Sequence, residues 1–194
     1  MMDFGTRLRR EPPAIVLEIV ESGAFFSLDH RDADVALRPA RSAPEGLWGR
    51  RLARVATAPY ATPAYLAEAG GRALATHDWL GFEPTLDHLA SATWLRANVT
   101  PERVVLRANR LAALQAAARA GMGVALLPCY AGDVDPRLVR VSAPSSAWET
   151  ALWLLTHPDL RNVPRIRAVL DGLAAFVHTH RATIEGAGRT DLRR

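Results

Sequence analysis

The residues of this chain that could do chemistry are few. His77-Asp78 and Asp87-His88 carry four side chains of the types that bind zinc, and Cys129 carries the single thiol. Both pairs lie in turn-rich segments, where solvated polar side chains are expected. Cys129 follows Leu126-Leu127-Pro128, a context typical of a small buried apolar residue, and no sequence feature supplies it with a base. The sequence therefore predicts no metal site, no cofactor and no catalytic nucleophile.

The signature motifs of common enzymes are missing from the sequence. There is no G-x-S-x-G, no P-loop and no H-E-x-x-H. Gly121-Met122-Gly123 lacks the third glycine of a dinucleotide fingerprint and follows a predicted helix, so a helix C-terminus explains it better. His178 and His180 are two positions apart on a predicted helix and point away from each other. The chain is predicted not to be an enzyme.

The elements that would position functional side chains have an α/β pattern. The apolar, β-branched run at residues 14–20 predicts a strand buried on both faces. Residues 34–38 predict a second strand ended by Pro39, and a helix between the two would complete a βαβ unit. The remaining predicted strands lie at 52–57, 104–106, 124–127 and 152–155, and the helices at 64–69, 111–120 and 164–177.

Composition and charge narrow the class of protein. The 194 residues are 49% hydrophobic, and the lone cysteine excludes an internal disulfide, which fits a reducing cytosol. The sequence shows neither a membrane-spanning run nor a secretory signal, so a cytoplasmic location without membrane binding is expected. The net charge is +4, and every basic residue is an arginine. These arginines form short, scattered clusters, which do not favour a nucleic-acid groove.

Five segments, in this order and spacing, carry a family resemblance. They read FFSLDHRDADVALRP, RRLARVATAPYATPAYLAEAG, RANRLAALQAAARAGMGVALLPCYAGD, LVRV and ALWLLTHPDLRNVPRIRAVLDGL. Together they resemble the effector-binding domain of LysR-type bacterial transcriptional regulators over roughly residues 12–178. The resemblance implies a two-lobed fold, similar to periplasmic solute-binding proteins, that binds a small molecule between its lobes. Lobe I would be residues 1–56 with 142–185, lobe II residues 57–141, and 186–194 a disordered tail.

The chain departs from that family at its N-terminus. The winged helix-turn-helix and linker helix that the resemblance implies are not expected ahead of Met1, and lobe I is expected to lack its opening strand. The chain is therefore interpreted as a truncated gene product, a mis-called start or a ligand-sensing remnant. No specific DNA binding by this chain alone is expected. Exposed strand edges in an incomplete lobe would favour self-association into a homo-oligomer.

Candidate ligand contacts follow from the rule that open parallel sheets bind ligands beyond the carboxyl ends of their strands. This rule selects residues at predicted strand ends and helix starts: Ser22, Gly23, Arg38, Tyr60, Thr62 and Asn109. Asn109 is expected to cap a helix, and Arg38 with the helix N-termini favours a small carboxylate as the effector. For each polar residue a plain cap, turn or surface role is an alternative that the sequence leaves open.

The leading interpretation is a non-catalytic, effector-binding regulatory domain. A solute-binding protein of a transporter is the alternative from another class, and a small-molecule enzyme is the third.

Overall fold

A computed structural model of the chain describes residues 5, 6, 8, 9, 15–20 and 33–187. Contacts between Cα atoms divide the chain into two compact units. Unit 1 lies within Met1–Arg54 and Ala151–Arg181, and unit 2 lies within Val55–Thr150 and Ala182–Arg194. The lobe boundaries that the resemblance implies stay a prediction.

The strands of the described residues form one sheet in each unit. Their bounds are β1 (Val35–Ala40), β2 (Trp48–Val55), β3 (Thr57–Ala61), β4 (Trp79–Phe82), β5 (Val104–Ala108), β6 (Val124–Pro128), β7 (Val139–Arg140) and β8 (Thr150–Thr156).

The α-helices of residues 33–187 connect and cover these strands. Their bounds are α1 (Pro63–Ala69), α2 (Ala90–Asn98), α3 (Leu111–Arg119), α4 (Cys129–Gly132), α5 (Pro164–Thr179) and α6 (Arg181–Ile184). Single-turn 3₁₀ helices lie at Leu74–Thr76, Pro84–Leu86, Pro101–Arg103, Ser146–Trp148 and Pro158–Leu160.

The sheet of unit 1 has the strand order β1-β8-β2. Strands β1 and β8 are antiparallel, with Val35 opposite Thr156 and Ala40 opposite Ala151. Helix α5 contacts β1 and begins at a proline, as the sequence predicts. Its buried residues repeat at helical spacing, which confirms the predicted apolar face: Ile166, Leu170, Leu173 and Val177.

The predicted buried strand at residues 14–20 is wrong for its described part. Residues 15–20 have no regular secondary structure, and Val16 is 95% exposed. A β-branched run becomes a strand only where a neighbouring strand accepts its backbone hydrogen bonds. Residues 15–20 pair with no strand that the structure describes. The described residues therefore do not supply the first strand of the predicted βαβ unit, and the segment expected to be its helix lies outside the described residues.

Strand β1 extends beyond the point where the sequence predicted its end. Pro39 lies inside the strand, opposite Leu152. A proline removes one backbone donor, which an edge strand tolerates, and β1 is at the edge of the described sheet. Arg38 therefore lies within the strand, and its predicted place at the strand end is corrected.

The sheet of unit 2 has the order β5-β4-β6-β3-β7. Strand β4 is parallel to both β5 and β6, whereas β3 runs antiparallel to β6 and β7. The predicted strand–helix–strand unit of β5, α3 and β6 is confirmed, with β4 inserted between its two strands. The predicted single strand at 52–57 is divided, because β2 ends at Val55 and β3 begins at Thr57.

The sequence did not predict β4, although β4 is central to its sheet. It has only four residues, one of which is Gly81, a residue depleted in strands. A Cβ at Gly81 would lie 2.7 Å from Cγ1 of Val104, so the close approach of β4 to β5 requires glycine. Trp79 and Leu80 are fully buried, which places the centre of the core at this strand.

Candidate functional site

In unit 1, the predicted contact Arg38 lies directly opposite Trp153 in the β1–β8 pair. Residues directly opposite in an antiparallel pair project from the same face of the sheet. The indole Nε1 of Trp153 is buried and has no hydrogen-bond partner within the described part of the chain. Burial lowers the pKa of Arg38 from its ordinary value. One sheet face thus presents a guanidinium and an unsatisfied indole N–H, both of which are donors only.

Trp153 was missed because a tryptophan in an apolar strand is usually a packing residue. The signal in the sequence was its polar N–H, since a buried indole N–H usually finds an acceptor.

In unit 2, Asn109 follows the carboxyl end of β5, as predicted, but it does not cap α3. The N-cap is Arg110, in an extended conformation and without a side-chain hydrogen bond to the helix. The amides of Ala113 and Leu114 both donate to the carbonyl of Arg110. The first turn of α3 contains no acidic residue, so its N-terminal partial positive charge is not offset locally.

Thr62 lies at the amino ends of the parallel strands of this sheet, whereas Asn109 lies at their carboxyl ends. Because β3 is antiparallel to β6, the end of β3 lies beside the start of β6. Thr62 caps α1, and its Oγ1 accepts a hydrogen bond from the amide of Tyr65 at 3.2 Å. The structure therefore does not bring Thr62 and Asn109 together.

Tyr60 lies inside unit 2 and is only 1% exposed. Its hydroxyl donates to Oδ1 of Asp133 at 2.7 Å. Arg140 donates to both oxygens of the same carboxylate and also to the carbonyl of Gly186, at 2.9 Å. Gly132 completes this packing, because a Cβ there would lie 2.3 Å from the Tyr60 ring.

The electrostatics of this buried cluster favour a fixed structural state. Burial, together with hydrogen bonds to Cys129 and Asp133, raises the pKa of Tyr60 far above its ordinary value. Burial opposes the charged form of Arg140, but hydrogen bonds with Asp133 and Tyr60 raise its pKa overall. Burial also raises the pKa of the Cys129 thiol, which disfavours the reactive thiolate.

The remaining predicted positions can be placed briefly. Ser22 and Gly23 lie outside the described residues. His77, expected to be solvated, is 3% exposed, because it lies two residues before the buried start of β4 and its ring contacts Tyr65. Among the described residues, no group of three or more histidine, cysteine, aspartate or glutamate side chains could hold a metal ion.

Comparison with known proteins decides the family. A family model described as LysR substrate binding domain matches residues 1–177. The chain belongs to this family. As a LysR substrate binding domain it is an effector-binding regulatory domain, which confirms the effector-binding and regulatory role predicted from the sequence. The predicted α/β fold class, of the periplasmic-binding-protein-like kind, is also confirmed.

Solved structures of LysR-type regulators are similar to this domain. The regulatory domain of CrgA from Neisseria meningitidis is 25% identical, with a TM-score of 0.71, and the match covers 90% of each chain. The effector-binding domain of AmpR from Citrobacter freundii is 18% identical, with a TM-score of 0.72, and the match covers 92% of this chain and 91% of that one.

A full-length regulator shows how much of such a protein this chain matches. The virulence activator AphB from Vibrio cholerae is 21% identical, with a TM-score of 0.66, and the match covers 91% of this chain but 63% of AphB. No curated protein matches the chain in sequence. None of these comparisons supports the transporter alternative. Within the described part of the chain, no helix has the length and apolar character to cross a membrane.

Proposed function

We propose that the effector of this LysR substrate binding domain is a small organic carboxylate. The observation that carries the proposal is the Arg38–Trp153 pair, in which a guanidinium and a buried N–H with no acceptor among the described residues share one face of the sheet. A carboxylate has two oxygens and roughly four lone-pair sites, so it can accept from both donors. Membership of an effector-binding family supports the assignment of these donors to a ligand.

Unit 2 offers a second set of groups suited to an anion. Asn109 and Arg110 stand at the carboxyl ends of the parallel strands, where open α/β sheets bind ligands. The uncapped N-terminus of α3 adds free amides and a positive partial charge. We propose Asn109 and Arg110 as effector contacts of unit 2.

A calorimetric screen with acetate, succinate and benzoate tests the carboxylate proposal. Removal of a charge-assisted partner costs about 1.5–3 kcal/mol, so Arg38→Ala should weaken binding about tenfold to a hundredfold. Trp153→Phe keeps the ring volume while removing the N–H, and it should weaken binding by a smaller factor. Arg167→Ala is the matched control, because Arg167 is an exposed arginine of unit 1.

Two results would contradict this proposal. Equal affinity of the Arg38→Ala and Arg167→Ala variants for a confirmed ligand would remove Arg38 from the site. Binding of a neutral aromatic molecule, with no binding of any acid, would exclude the carboxylate class.

A further inference from the structure

A surface cavity of about 230 Å³ lies at the C-terminal end of α3. It is lined by Ala116, Arg119, Ala120 and Arg137. Ala116 and Ala120 are one helical turn apart and supply an apolar lining, while the two arginines supply every charged group of the cavity wall. The cavity therefore combines a small volume with positive charge.

A buried carboxylate organises the two arginines. Asp135 is 4% exposed, and its Oδ2 lies 3.1 Å from Nε of Arg119 and also 3.1 Å from Nε2 of Gln115. Its Oδ1 accepts the backbone N–H of Arg137 at 3.1 Å. Asp135 thus fixes the side chain of Arg119 and the backbone of Arg137. The terminal nitrogens of Arg119 donate no hydrogen bond to any described residue, so they can bind another acceptor.

The described residues do not balance the positive charge around the cavity. Asp135 offsets one positive charge, and the exposed Arg137 forms no ion pair with any residue that the structure describes. A helix C-terminus ordinarily repels anions through its free carbonyls. Here three carbonyls of the last turn of α3, at residues 116–118, already accept hydrogen bonds from the amides of Ala120, Gly121 and Met122.

We propose that this cavity binds a small oxyanion, a phosphate or carboxylate group held between Arg119 and Arg137. Guanidinium groups match the oxygens of both anions with paired N–H donors. The volume is below the roughly 300 Å³ at which pockets for drug-sized ligands begin, which restricts the ligand to a small anion. The site is distinct from Asn109 and Arg110, because those residues lie at the other end of α3, about 13 Å away along the helix.

Titration of the intact chain with inorganic phosphate, at constant ionic strength in chloride, tests this site. Backbone amide shifts should move for residues 116–120 and 135–137. Arg137→Gln should weaken phosphate binding about tenfold, the loss expected for a charge-assisted hydrogen bond. This variant leaves Asp135 satisfied, because Asp135 binds the backbone and not the side chain of Arg137. Arg107→Gln, an exposed arginine on β5, is the control and should bind as the wild type does.

A parallel titration with acetate separates the two anion sources. Binding of either anion with loss in Arg137→Gln supports the site. Absence of shifts at these amides with both anions overturns it, as does equal affinity in Arg137→Gln and wild type. Arg38→Ala should leave the phosphate titration unchanged, so failure of the effector proposal and failure of this one give different results.

Discussion

Arg140 binds both carboxylate oxygens of Asp133. Its Nε lies 2.8 Å from Oδ1 and its Nη2 lies 2.5 Å from Oδ2, and the two side chains are 9% and 6% exposed. Burial of two charges is tolerated because the geometry is bidentate and because Tyr60 and Gly186 complete the hydrogen bonds. The pair joins β7 to the segment that follows α4, and it anchors the carbonyl of Gly186.

Removal of one partner from this pair should strongly destabilise the protein. Arg140→Met leaves the Asp133 charge buried without its counterion, and such losses cost about 3–5 kcal/mol. Urea unfolding measures the change. Arg167→Gln breaks an ion pair that is 3.8 Å long and largely exposed, and should cost at most about 1 kcal/mol. Similar losses in the two variants would contradict the structural importance of the Arg140–Asp133 pair.

The hydroxyl of Tyr60 should contribute to stability rather than to ligand binding. Tyr60→Phe removes a buried hydrogen bond to a charged acceptor and should cost about 1.5–3 kcal/mol. Calorimetry with a confirmed carboxylate ligand completes the test. A large loss of affinity in Tyr60→Phe would show that Tyr60 contacts the effector and would contradict this prediction.

His77 should make stability depend on pH. Burial lowers its pKa below 6.5, and the positive charge of Arg72 acts in the same direction, whereas Asp78 opposes it. Below pH 6.5 the unfolded chain therefore binds a proton that the folded chain does not, so stability rises with pH. The contribution of neutral His77 to the free energy of unfolding is fully present above pH 6.5. It is lost as the pH falls toward the folded-state pKa, by at most about 1.4 kcal/mol per pH unit.

Unfolding midpoints measured between pH 5 and pH 8 test the role of His77. His77→Phe keeps an aromatic ring beside Tyr65 and should flatten the acid side of the profile. His178→Gln, at an exposed histidine on α5, should leave the profile unchanged. Retention of the full acid-side loss in His77→Phe would assign that loss to other groups.

Thr62 and Asn109 should separate in their effects. Thr62→Ala removes the N-cap of α1 and should cost about 1 kcal/mol of stability, without changing affinity for a carboxylate. Asn109→Ala removes no cap, so stability should change by less than about 0.5 kcal/mol while the affinity falls. Unfolding and calorimetry on both variants measure the two effects. The reverse assignment, with affinity lost only in Thr62→Ala, would contradict the proposed contact at Asn109.

The sequence by itself determined the family and those elements whose pattern is local. Helix α5 follows from apolar spacing and a proline at its start, and α1 follows from Pro63, an alanine-rich run and the Gly70-Gly71 pair that ends it. The five segments that carry the family resemblance are likewise visible in the sequence by their order and spacing. Such features depend on residues a few positions apart, so they can be predicted without knowledge of the fold.

Only the tertiary structure decided which strands pair and which polar groups meet. Residues 79–82 form strand β4 because β5 and β6 pair with them on either side. Residues 15–20 form no strand because no described strand pairs with them. The Arg38–Trp153 pair joins residues 115 positions apart by sheet register, and Arg119 meets Arg137 through a buried aspartate. Long-range hydrogen bonding and burial set these contacts, and neither has a local sequence signal.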